Sequence, residues 1–90
     1  MTRCLIDGGP EWFDRDKATR LATSPELSLG VRHILYRTAT GQYVIERDTR
    51  WENQSNTYTR IKPQEAAIFC LRHDALLPPD LVPFLDPHEM

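Results

Sequence analysis

The sequence predicts an α+β domain: an antiparallel three- to four-stranded sheet with two helices on one face, in the order β-α-β-β-β-α. Three observations lead there. Two β-prone runs, "VRHILYRT" and "QYVIERD", are joined by Ala39, Thr40 and Gly41, a hairpin signature in the middle of the chain. A segment with a helix-capping residue, Asp14, precedes them, and a segment led by Pro63 with apolar residues at helical spacing follows. Such layering buries one face of the sheet and leaves the other open.

Taken in order, residues 3–7, "RCLID", form a β-prone run closed by the turn residues Gly8, Gly9 and Pro10, which predicts the first strand. In "FDRDKATRLATSP" Asp14 is placed to accept orphan amide hydrogens, Asp16 lies in the first turn, and Ala18, Leu21 and Ala22 make a narrow apolar face. A helix is predicted there, ending before Pro25, because the residue preceding a proline leaves the α region. In the hairpin, a three-residue loop with Gly41 at positive φ sets Arg37 opposite Tyr43, Tyr36 opposite Val44 and Leu35 opposite Ile45. A two-residue loop shifts the pairing by one, so the loop alone does not decide which face is buried. "TYTRI", residues 57–61, is a third consecutive strand. The second helix starts at Pro63, with Glu65 in its first turn and Ala66, Phe69, Cys70 and His73 at i, i+3, i+4, i+7.

Ninety residues suit one domain, assigned to residues 1–77. At that size a chain buries little more than about 60% of its unfolded surface, so the core is modest. Residues 78–90 are a proline-rich tail, with prolines at 78, 79, 83 and 87. Leu81, Val82, Phe84 and Leu85 are too apolar for a solvated appendage, which predicts that the tail docks on its own core or on a neighbouring subunit.

The N-terminus lacks a basic start followed by a long apolar run, and no segment approaches about 18 apolar residues, so a cytoplasmic protein without a membrane span is expected. Cys4 and Cys70 are too few for a disulfide scaffold and read as reduced core thiols. The net charge of −2 is unevenly laid out. Residues 31–62 hold six basic against three acidic groups, residues 63–90 one against five. That asymmetry bears on partners, not on fold.

Motifs of chemistry are weak. Cys70 and His73 form a C-x-x-H pair one helical turn apart, but no second ligand pair accompanies them, so neither metal nor cofactor is expected. The same pair suggests nucleophilic catalysis, with Asp74 as an orienting group, yet nothing supplies an oxyanion hole or lowers the thiol pKa. "IDGGPEW" lacks the lysine and spacing of a phosphate loop and is explained as a turn.

What stands out is residues 34–61, which hold all three tyrosines and four of the nine arginines. Arg37, Arg47, Arg50 and Arg60 alternate with Tyr36, Tyr43, Trp51 and Tyr58, and these eight are the predicted interaction surface. Tyrosine, tryptophan and arginine are enriched at protein hot spots, so a protein partner or self-association is the first expectation. Nucleic acid, stacked on exposed aromatics, is the second, although the chain carries no RNP-like motif. A small enzyme with an unrecognised site is third. Leu81, Val82, Phe84 and Leu85 are the predicted tail contacts, with the acidic Asp80 complementing the basic sheet.

The stretches "FDRDKATRLA", "LYRTATGQYVI" and "IKPQEAAIF" occur in an order that resembles small bacterial proteins carried on phages, plasmids and integron cassettes. The resemblance spans roughly residues 3–73. It implies a mobile-element accessory protein, without implying any catalytic residue. Because a small domain with a limited core often completes its burial by association, a homo-oligomer such as a homodimer is also expected.

Overall fold

Strand β1 (Arg3–Leu5) pairs antiparallel with β2 (Trp12–Asp14), setting Cys4 opposite Phe13 and Leu5 opposite Trp12. The turn between them passes through Gly8 and Gly9 at φ +82° and +98° and a cis Gly9–Pro10 peptide bond. The structure, a computed structural model, describes residues 1–25, 30–49 and 55–90. Within them the chain is α+β, with this small hairpin, a four-stranded antiparallel sheet and one α-helix.

The predicted first helix does not form. Asp14 does act as a cap, accepting a hydrogen bond from the Asp16 amide at 3.1 Å. The turn it opens, however, is a single 3₁₀ turn (Arg15–Lys17), after which Ala18 is already extended. Strand β3 (Thr19–Thr23) follows and pairs with β4 (Val31–Arg37) through a bulge between Arg20 and Ala22. The bulge lets the consecutive Leu21 and Ala22 both join the cluster around Leu35. A spacing that reads as the apolar face of a helix is therefore also that of a bulged strand. Pairing with β4 outweighs the weak local propensity for helix.

Strand β5 (Tyr43–Thr49) pairs with β4 in the three-residue-loop register: Arg37 opposite Tyr43, Tyr36 opposite Val44, Leu35 opposite Ile45. Thr38 and Gln42 close the loop with a 2.8 Å backbone hydrogen bond, and Gly41 sits at φ +83°, a conformation that a side chain would strain. Strand β6 (Thr57–Ile61) completes the order β3-β4-β5-β6. Part of its free edge is covered, since the Asp7 amide donates to the Tyr58 carbonyl at 2.9 Å.

Both faces of the sheet are packed, where one open face was expected. Ile34, Tyr36 and Val44 meet Cys4, Ile6 and Phe13 of the small hairpin on one side. Leu35, Tyr43 and Ala22 meet helix α1 (Pro63–Arg72) and the tail on the other. Two-sided burial accounts for the unbroken apolar runs "ILY" and "YVI" in β4 and β5. The two cysteines are free, and they belong to opposite layers.

Helix α1 starts with Pro63, whose missing amide hydrogen costs nothing at that position, and the Glu65 carboxylate accepts from the Lys62 amide at 3.5 Å. It ends where Asp74 takes φ +53° and the Ala75 amide reaches back to the Cys70 carbonyl at 2.9 Å. Ala66, Ala67 and Cys70 form its buried side, small enough for close approach to the sheet. Residues 78–90 contain two 3₁₀ turns (Val82–Phe84 and Asp86–His88). Leu81 is 0% exposed and lies within the same cluster as Leu35, Tyr43 and Cys70, with Leu77 and Leu85 at its border.

Candidate interaction surface

The two-layered packing divides the predicted aromatic and basic surface. Tyr36 points to the small-hairpin side and Tyr43 to the helix side, each only 5% exposed. Tyr58 is half-buried, edge-on to Phe13 with ring centroids 5.5 Å apart. Tyr36 and Tyr43 are core members, and Tyr58 packs against the core at its border. Arg37 pairs with Asp80 at 2.9 Å and Arg60 with Glu11 at 3.1 Å. Arg47 is exposed on the face of Ile45. Arg50 and Trp51 lie outside the described residues.

On the helix side the tail is held by one carboxylate. Asp80 accepts hydrogen bonds from the Arg37 guanidinium and from the Tyr43 hydroxyl. Those contacts, the tyrosine's first and the arginine's next, hold the Asp80 carboxyl below its ordinary pKa. The lowered value means the bonds favour the ionised, folded state, so their contribution is full above about pH 4 and is lost as the pH falls through the lowered pKa. Of the four predicted tail contacts, Leu81 is buried, Val82 and Leu85 are half-buried, and Phe84 is exposed.

On the small-hairpin side a polar cluster surrounds Glu46, which is 2% exposed. Tyr36 Oη donates to its Oε1 at 3.1 Å and Asn56 Nδ2 to its Oε2 at 2.9 Å, with Arg15 Nη1 3.8 Å from Oε2. Arg15 also donates to the Tyr58 hydroxyl at 3.1 Å. Both carboxylate oxygens are thus occupied by protein groups, and the cluster is an internal brace between β4, β5 and β6. Sequence reasoning passed over Glu46. The available signal was its alternation with Val44 on one strand face, opposite Tyr58 and beside Tyr36.

Burial pushes all three tyrosines above their ordinary pKa, reinforced by Glu46 at Tyr36, by Asp80 at Tyr43, and by Cys4 and Glu46 at Tyr58. Raised values mean the folded state prefers the neutral phenols. Their contribution is full below about pH 10, the unfolded value, and is lost as the pH rises toward the folded values. Ultraviolet difference spectroscopy is expected to show no tyrosine ionising at the ordinary value while the fold persists. A phenol titrating near 10 in the folded protein contradicts the packing described for that ring.

The remaining apolar surface lies elsewhere. Beside α1, an open groove of about 280 Å³ is lined by Ile45 and Ile61 of the sheet and by Glu65, Ile68, Phe69 and Arg72 of the helix. Ile68 is 41% exposed at its rim, and Leu71 is also exposed. On the outer face of the small hairpin, Leu5 and Trp12 are exposed as a cross-strand pair, with the Arg3 guanidinium 5.0 Å from the Trp12 ring centroid. Neither surface is among the residues that the sequence predicts to interact.

Among the described residues no group of three or more His, Cys, Asp or Glu side chains gathers to hold a metal. Cys70 is buried against the sheet, and burial raises its thiol pKa, the opposite of an activated nucleophile. His73 caps α1 with its ring against Phe69, centroids 4.5 Å apart. No helix among the described residues is long and apolar enough to cross a membrane. No family model, curated protein or solved structure matches the chain.

Proposed function

We propose that the chain is a non-enzymatic protein-interaction module, a self-associating accessory protein that works in the cytoplasm of a cell carrying a mobile element. The observation that carries the reading is the groove beside α1. Its floor and wall are apolar, Ile68 stands exposed at its rim, and Glu65 and Arg72 flank it. An apolar centre with a charged rim is the anatomy of a protein interface. Nucleic-acid binding through stacked tyrosines finds less support, since Tyr36 and Tyr43 are buried and Arg15, Arg32, Arg37 and Arg60 each face a carboxylate.

The test is a photo-crosslinking amino acid placed at position 68 of the full chain in the producing cell. A discrete protein adduct is expected at 68 and none at position 23, which is exposed on the edge strand β3. No adduct at 68, or the same unspecific smear at both positions, removes the reading.

A further inference from the structure

We infer that the groove beside α1 receives a second copy of the chain, the two α1 helices lying antiparallel about a two-fold axis near Ile68. The inference rests on the interaction-module reading and names its partner. A two-fold contact needs one patch that is complementary to itself, so every projection must find its hollow, and every charge its opposite, within the same surface. The helix meets both conditions.

Glu65, Ile68 and Arg72 follow one another at i, i+3 and i+7, a single outward stripe on the side away from Ala66, Ala67 and Cys70. When that stripe is laid antiparallel on its copy, Glu65 of each chain falls opposite Arg72 of the other. Ile68 then falls opposite the hollow lined by Ile45, Ile61 and Phe69. The knob and its hole are thus on one patch. The charges are available as well: Arg72 makes no ion pair among the described residues, and Glu65 accepts only the long bond from the Lys62 amide. Reversed in direction, parallel helices bring Glu65 against Glu65 and Arg72 against Arg72, so the charges select the antiparallel arrangement.

The chain's own tail is not the occupant. It packs along the opposite flank of α1, where Gln64 Nε2 and His88 Nε2 are 3.3 Å apart. A ten-residue helix is only about 15 Å long, so α1 by itself is short for a standard interface. The exposed Arg47 and Thr59 beside the half-buried Ile45, on the part of β5 and β6 next to the groove, extend the contact.

Sedimentation velocity over a concentration series tests this on the full chain. The wild type is expected to dimerise, and Glu65→Arg and Arg72→Glu alone are each expected to weaken the dimer on the order of tenfold or more, because the two-fold repeats each repulsion. Mixing the two single variants is expected to restore dimer, since one chain then carries arginine and the other glutamate at both positions. Ile68→Asp, which leaves the Glu65 cap untouched, is expected to abolish dimerisation and serves if Glu65→Arg fails to fold. A wild-type monomer at the highest soluble concentration overturns the inference, as does a dimer indifferent to these changes or a mixture that does not recover. If the crosslink at position 68 captures a different protein, the interaction-module reading survives those failures without its self-association, and if the crosslink captures none the whole reading falls.

Discussion

Replacing Leu81 with alanine is expected to lower the melting temperature by roughly 10–30 °C. A buried leucine truncated to alanine costs about 2–5 kcal/mol, and each kcal/mol shifts a domain of this size by about 4–8 °C. Leu81 belongs at the upper part of that range because its side chain is fully buried and its neighbours cannot close the gap. The cluster it belongs to includes two alanines on a hydrogen-bonded helix, Leu35 in a central strand, and Tyr43, whose hydroxyl is tied to Asp80. Truncation after Leu77 removes Leu81, Leu85 and the Asp80 carboxylate together and is expected to destabilise further. Thermal denaturation followed by circular dichroism checks both. An unchanged melting temperature in the truncated chain shows that the tail contributes nothing to the fold.

The position of Leu81 also shows where sequence reading stops. Four apolar residues in the tail were legible as a group, but their division was not: Leu81 is enclosed while Phe84, the larger side chain, is exposed. That division depends on how the 3₁₀ turn at Val82–Phe84 is oriented and on Asp80 meeting Arg37 and Tyr43 in particular, whereas the sequence offers only a proline and an acidic residue near a basic sheet. The β4–β5 hairpin was legible and its register was narrowed to two, of which the three-residue loop with Gly41 at positive φ forms and pairs Arg37 with Tyr43. The β3 strand was not, because Ala18, Leu21 and Ala22 satisfy a helical period and a bulged strand equally. The burial of the tyrosines was hidden for another reason. Apolar alternation specifies a face only when one face is wet, and here the small hairpin covers the face that a simple two-layer sandwich leaves open. Tyr36 and Tyr43, expected at a surface from residue type, therefore lie in the core, while Arg47 and Arg60 of the same group are exposed.

The most severe surface-neutral change is expected at Glu46. Glu46→Ala removes the acceptor from two donors at once, Tyr36 Oη and Asn56 Nδ2, and leaves Arg15 without its nearby carboxylate. Hydrogen bonds to a charged group contribute about 1.5–3 kcal/mol each, so losing the two costs on the order of 3 kcal/mol or more, a large share of the 5–15 kcal/mol that holds a typical domain folded. Glu46→Gln keeps the volume and one acceptor oxygen but cannot accept from both donors, so an intermediate loss of about 1–3 kcal/mol is expected. The double variant Tyr36→Phe with Glu46→Leu separates the two sources of the cost. It removes donor and acceptor together, Asn56 is exposed and can turn to water, and the Arg15 side chain is 40% exposed. Urea denaturation of the three proteins is therefore expected to rank the double variant above Glu46→Ala in stability, although it carries more substitutions. If the double variant is the less stable of the two, the cost comes neither from the stranded Tyr36 hydroxyl nor from lost volume at position 46, both of which the double variant relieves, and the brace between β4, β5 and β6 does not rest on the Tyr36–Glu46 contact.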